Sequence, residues 1–252
     1  MHVKVRTQEE LDAALARGDV AVLADPGEFK VVAKDHDAPI LIIMGREARL
    51  HLIAAMESRP LIDARGDSCP FVEAKGNSKP HVVALGESNP RIKAYGDSRP
   101  HIEAWGHSRP YCESCGDSRP HIIAYESSMP DSSSWGNARP YIECWERSAP
   151  YVESMGRNAP HVEAWGESSP LIKSMHDSAP SVVSWEDSRP WIDCWDRSRP
   201  HIDVRGDNLP TIRSYNESVP HVESWGRLLP HDDAPEPPGE DPAGVANQRD
   251  AW

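Results

Sequence analysis

His101-Ile102-Glu103-Ala104-Trp105-Gly106-His107-Ser108-Arg109-Pro110 is followed at once by Tyr111-Cys112-Glu113-Ser114-Cys115-Gly116-Asp117-Ser118-Arg119-Pro120. Both are copies of one ten-residue unit, and every tenth residue from Pro60 to Pro230 is proline. A fixed short period means one small structural unit stacked on the next. A helix is excluded, because each interior proline would cost roughly 3 kcal/mol.

We number the positions of the unit as slots one to ten, ending on the proline. Slot two is Ile or Val with three exceptions, Leu52, Cys112 and Ser132. Slot four is Ala, Ser or Cys apart from Val204, and slot eight is mostly Ser. The odd slots vary in size and charge. Alternation of small or apolar residues with variable ones marks a strand with one buried face. This predicts an all-β chain, a narrow β-solenoid of ten-residue turns, eighteen in number. Its core is the slot-two column, with Ile62, Ile92, Ile102, Ile142, Ile172, Ile192 and Ile202 at its heart. Gly is the commonest residue in slot six, as a corner with positive φ would favour, and proline belongs at the other corner. At the usual ladder spacing, eighteen turns would make a rod roughly 85 Å long. The buried Ser column needs partners, and hydroxyls one turn apart could supply them. The unit Asp131-Ser132-Ser133-Ser134 has no apolar slot-two residue, so a locally weak turn is expected there.

Three regions follow. Residues 1–50 read as a capping region. Val3 and Val5 suggest a strand. Thr7 with Glu10 forms a capping box ahead of a helix whose apolar face is Leu11, Ala14 and Leu15, and strands follow on either side of Pro26-Gly27. Such a cap covers the open end of a solenoid, which otherwise invites other chains to pair. Residues 51–230 are the solenoid. Residues 231–252 form an acidic, proline-rich tail, with Trp252 available to dock it back. The start, Met1-His2-Val3-Lys4-Val5-Arg6, has no apolar signal-peptide core, no apolar run has the length of a membrane span, and five cysteines show no framework spacing. These features predict a cytoplasmic protein with no membrane contact.

The unit Gly-Asp-Ser-Arg-Pro-His-Ile-Glu-Ala-Trp, as at 116–120 and 101–105, resembles decapeptide-repeat β-solenoid proteins of bacteria and phages, actinobacterial ones in particular. The resemblance covers residues 51–230 and implies the fold but no activity. A looser likeness is to ice-nucleation and antifreeze solenoids. Their regular Thr rows are missing, since this chain has only Thr7 and Thr211. Pentapeptide-repeat proteins have a similar shape, but their five-residue period and Leu/Phe core are absent.

The candidate chemistry is sparse. Cys112 and Cys115 would lie on opposite faces of one strand, so they do not converge on a zinc ion. His81, His101, His121, His161, His201 and His221 all occupy slot one. If each unit were a turn, the nearest pairs would be two turns and roughly 9–10 Å apart, too far to share a metal. A solvated face is the plain reading, and neither a metal nor a cofactor is expected. No phosphate loop, activated nucleophile or carboxylate pair points to an enzyme.

Slot five is the informative column. It holds Tyr95, Trp105, Tyr125, Trp135, Trp145, Trp165, Trp185, Trp195, Tyr215 and Trp225. Aromatic residues so placed either stack along the rod or form a contact stripe. The leading expectation is a non-catalytic scaffold or binding rod that self-associates as a homodimer, by antiparallel pairing of this stripe near Trp165, with another protein as a further possible partner. A second reading is an acidic nucleic-acid mimic that binds a basic protein groove. It is weakened because residues 51–230 carry 25 acidic and 19 basic side chains, a mixed rather than anionic surface. A nucleic-acid partner is not expected. A third reading is ice or carbohydrate binding by a flat aromatic face.

Overall fold

His101 pairs with His121, Ile102 with Ile122 and Ala104 with Ala124, all in parallel. The computed structural model describes residues 1–23, 25–34, 41–45, 48–206 and 210–224. Throughout it each repeat strand pairs with the strand twenty residues away, never with the next unit. One coil of the solenoid is therefore two decapeptides, and there are about 10 coils rather than eighteen turns. The rod is correspondingly shorter, roughly 50 Å at the standard strand spacing.

The reason is geometric. Facing sheets sit about 10 Å apart, and a four-residue strand covers about 13 Å, so a closed coil has a perimeter of roughly 46 Å. Ten extended residues reach only about 34 Å, and twenty reach it with room for corners.

The elements run β1 (His2–Lys4), α1 (Gln8–Ala16), β2 (Val20–Leu23), β3 (Gly27–Ala33), β4 (Leu41–Met44) and β5 (Ala48–Ala54). One strand per decapeptide follows, from β6 (Leu61–Ala64) to β20 (His201–Arg205), β21 (Thr211–Ser214) and β22 (His221–Ser224). Sheet one has twelve strands, in the order β1, β2, β4, β6 and every second strand to β22; sheet two has ten, from β3 and β5 to β21. Both are wholly parallel, and both turn their even slots inward. The slot-two residues from Leu52 to Ile202, including Ile62, Ile92, Ile102, Ile142, Ile172, Ile192 and Ile202, are buried between them.

Proline closes each unit without breaking the backbone pairing. The slot-nine N–H donates to a slot-eight carbonyl one coil back, as Lys79 does to Ser58 at 2.9 Å. The slot-one N–H donates to the proline carbonyl, as His81 does to Pro60 at 2.8 Å. Slot six adopts positive φ even where it is Glu126 (57°), Glu146 (56°) or Glu186 (54°). In non-glycine residues this costs about 1–2 kcal/mol, so the corner is held by the pairing on both sides of it.

The N-terminal region is a modified first coil. Thr7 caps α1 by accepting from the Glu10 N–H, and the Glu10 carboxylate accepts from the Arg6 N–H at 2.7 Å. Leu11 and Ala14 are fully buried. Helix α1 stands where sheet two would have another strand. The Gln8 carboxamide donates to the Lys30 carbonyl and accepts the Lys30 N–H, each at 2.8 Å, so it pairs with the outer edge of β3 as a strand would. Residues 41–45 and 48–50, grouped with the cap on sequence, enter the coil register early, with Leu41 opposite Leu61. The acidic tail 231–252 lies outside the described residues.

The serine column departs from expectation. Among the described residues no two serine hydroxyls pair from coil to coil. Ser178, Ser188 and Ser218 bond the slot-four serine of their own unit, Ser174, Ser184 and Ser214, at 2.7, 2.7 and 2.6 Å. Where slot four is Ala, as for Ser88, Ser98 and Ser108, the buried hydroxyl has no partner. Two opposite effects follow. Ser88→Ala, Ser98→Ala and Ser108→Ala are each expected to raise stability by about 0.5–1 kcal/mol, whereas Ser184→Ala strands the Ser188 hydroxyl and costs about 1–2 kcal/mol. Urea unfolding of the four variants checks this, and a common sign for both classes would refute it.

Candidate functional site

The twenty-residue coil sorts the outward slots into two sets, one per sheet. Slot one of sheet one holds Leu61, His81, His101, His121, Tyr141, His161, Ser181, His201 and His221 in consecutive coils. Six of the seven slot-one histidines thus fall in one column, and His51 lies in sheet two beside Phe71. The expected separation of two turns is corrected: His81 and His101 are direct neighbours, with ring centroids 4.7 Å apart, and so are His101 and His121 at 4.8 Å. Beyond them His121, Tyr141 and His161 continue the row at 4.9 and 5.2 Å, and His201 stacks on His221 at 5.2 Å.

Slot three places carboxylates beside these rings. Glu103 meets both His81 and His101, His121 meets Glu143, and His161 meets Glu163. The His101 and His81 imidazoles hold the Glu103 carboxyl well below the usual carboxylate range. His161 lowers the Glu163 carboxyl, opposed by burial and helped by the Tyr141 hydroxyl. Glu143 and Glu163 are neighbours in sheet one, whereas Glu153 lies in sheet two, 3.4 Å from Lys173.

The aromatic stripe divides as well. Sheet one holds Trp105, Tyr125, Trp145, Trp165 and Trp185 in five consecutive coils. Trp105 stacks on Tyr125 at 3.9 Å, Trp145 on Trp165 at 5.3 Å and Trp165 on Trp185 at 4.5 Å, with planes within 20°. The Arg205 guanidinium closes the row 4.6 Å from the Trp185 ring. Sheet two carries Tyr95, Trp135, Trp195 and Tyr215, interrupted by Cys115, Met155 and Met175. There only Trp195 and Tyr215 stack, at 4.0 Å. The expectation that Trp135, Trp145, Trp165, Trp185 and Trp195 share one side of the rod is thereby corrected. Trp225 lies outside the described residues.

The cysteines do not converge. Cys112 is in the core, where burial pushes its thiol up, and Cys115 sits half-buried in slot five. A polar groove of about 300 Å³ crosses three coils, lined by Glu57, Arg59, Asn77, Lys79, Asp97 and Arg99. Its acids and bases alternate, and it contains no nucleophile. Among the described residues no helix is long and apolar enough to cross a membrane.

Comparison with protein-family models, curated proteins and solved structures finds no match to this chain. The arrangement of its own residues is what speaks to function. The histidine row was the part that sequence reasoning missed. Its signal was present, because from His81 onward the slot-one histidines fall only in alternate units.

Proposed function

We propose that this chain is a non-catalytic rod, a rigid scaffold whose copies associate with one another. What supports the scaffold is a surface of repeated columns with no enclosed cleft among the described residues. What supports association is the contrast between the two ends. At the N-terminal end, β1 covers the outer edge of β2 and α1 covers that of β3. At the other end, β21 and β22 are the last strands of their sheets among the described residues. Val219 and Val222 there are 63% and 45% exposed, and Tyr215 is also exposed. Strand edges with no neighbour among the described residues, beside exposed apolar side chains, are templates for pairing with a second chain.

The aromatic stripe is a weaker candidate for the contact. Tyr125, Trp145 and Trp165 are only 5, 6 and 4% exposed, because the rings bury one another. A ring with roughly 10 Å² left in water has only about 0.3 kcal/mol more to gain from a partner. The stacked rings hold the coils in register instead. A twofold tail-to-tail contact, with the same patch meeting itself, fits an association limited to one end.

Sedimentation equilibrium at tens of micromolar tests this. The expected result is a dimer that Val219→Lys with Val222→Lys makes monomeric, while circular dichroism is unchanged and deletion of residues 231–252 leaves the dimer intact. A monomeric wild type, or a dimer that survives the double substitution, overturns the end contact. Loss of the dimer on Trp165→Ser alone would return the contact to the stripe.

A further inference from the structure

We propose that His81, His101 and Glu103 form a binding site for a divalent transition-metal ion of the zinc, nickel and copper class. The Nε2 atoms of His81 and His101 lie 3.0 and 3.3 Å from the same carboxylate oxygen, Oε1 of Glu103. The three ligand atoms lie within 4.8 Å of one another. A tetrahedral zinc ion with bonds of about 2.0–2.1 Å sets its ligand atoms roughly 3.3–3.4 Å apart. Two of the three edges are thus already close to that length, and a swing of one imidazole about its χ angles shortens the third.

The ligand types fit the ion. Imidazole suits zinc, copper and nickel, and two imidazoles with one carboxylate leave a coordination position for water. The backbone fixes the ligands. The His81 and His101 N–H groups each donate at 2.8 Å to the proline carbonyl one coil back, so the two Cα atoms are locked in adjacent strands. The imidazoles remain a third or more exposed, and an ion has an open route to them. The chain repeats the device. His201, His221 and Glu223 form a second His-His-Glu group in the same slots near the C-terminal end, with His221 Nε2 3.0 Å from Glu223 Oε1. Elsewhere in the row Tyr141 and Ser181 separate the histidines, and His121 and His161 each meet a single carboxylate.

The test is titration of the whole chain, stripped with a chelator and then dialysed, with zinc chloride in a calorimeter. Cobalt(II) in its place reports tetrahedral geometry through its visible bands. The expected result is saturable micromolar binding that His101→Ala and Glu103→Gln each weaken about tenfold or more, since even outer-shell changes cost that much at metal sites. His221→Ala should leave this event in place. With the second group removed by His221→Ala, zinc should also raise the melting temperature while His101 is intact but not once His101→Ala is added, because only a ligand bound to the native state stabilises it. The substituted side chains are partly exposed and outside the core, and circular dichroism verifies that the variants fold. Absence of micromolar zinc binding by wild type, or wild-type affinity in folded Glu103→Gln and His101→Ala, overturns the proposal.

Discussion

Deletion of residues 1–19 is expected to turn a soluble protein into one that aggregates. The deletion removes three features at once. It takes away β1, whose His2, Val3 and Lys4 pair with Val20, Ala21 and Val22. It takes away α1, whose Leu11 and Ala14 are fully buried. It also frees the Lys30 N–H and C=O that Gln8 now satisfies. Two parallel sheets then end on uncovered, apolar edge strands, which invite pairing with other chains. A gentler variant separates capping from mere truncation. Leu11→Ala should cost about 2–5 kcal/mol in the first coils. In a stack of repeats each unit answers mainly to its neighbours, so the loss stays local. Hydrogen exchange should quicken in β2 and β3 and remain unchanged near residues 141–164. A truncated protein that stays soluble, with unchanged melting, would show that α1 and β1 are dispensable.

Ser132→Val is expected to stabilise the protein by about 2–3 kcal/mol, an unusual sign for a buried substitution. Ser132 stands in the slot-two column of sheet two, between Cys112 and Val152 in the adjacent coils. It is buried, and its hydroxyl has no partner. The slot holds Val or Ile in most other units, so its surroundings suit a branched apolar side chain. Burying a valine contributes about 1.5–3 kcal/mol, and removing an unsatisfied hydroxyl adds to it. Neighbouring Ser134 should be left alone: its hydroxyl donates to the Glu153 carbonyl at 3.2 Å, and Asn158 donates to its backbone. A shift of the urea midpoint to higher concentration checks the gain. A shift to lower concentration would mean that the strand at Asp131–Gly136 cannot take a branched side chain.

The solenoid was legible in the chain, and its coil was not. Ile102, Ala104, Ser108 and Pro110 carry the ten-residue period, and these are the residues that face the core. The two sheets bury the same kinds of side chain against one another, so both halves of a coil read alike from within. Only outward slots can tell the halves apart. They do so through His81, His101 and His121, and through the run from Trp105 to Trp185, all in one sheet. Surface positions tolerate exchange, and Tyr141 or Ser181 in place of histidine blurs the twenty-residue signal. The unpaired serines were illegible for another reason. Whether Ser108 or Ser178 finds a partner depends on slot four of the same unit and on where that residue's own hydroxyl turns, since Ser114 donates to the Ser133 carbonyl and leaves Ser118 without a partner; the notion of a serine column hides that dependence.

A coil made of two like halves gives the gene a parity. Loss or gain of two decapeptides shortens or lengthens the rod by one coil and leaves every downstream side chain on its own face. Loss or gain of a single decapeptide is just as acceptable to the core, because slots two, four and eight still point inward. On the surface it exchanges the two faces from that point onward. Removing residues 111–120 would carry His121 and Trp145 to the opposite sheet, and would cut the histidine row and the stacked rings at the same coil. Length in this protein can therefore drift freely only in steps of twenty residues, and an odd step writes a new surface on an unchanged interior.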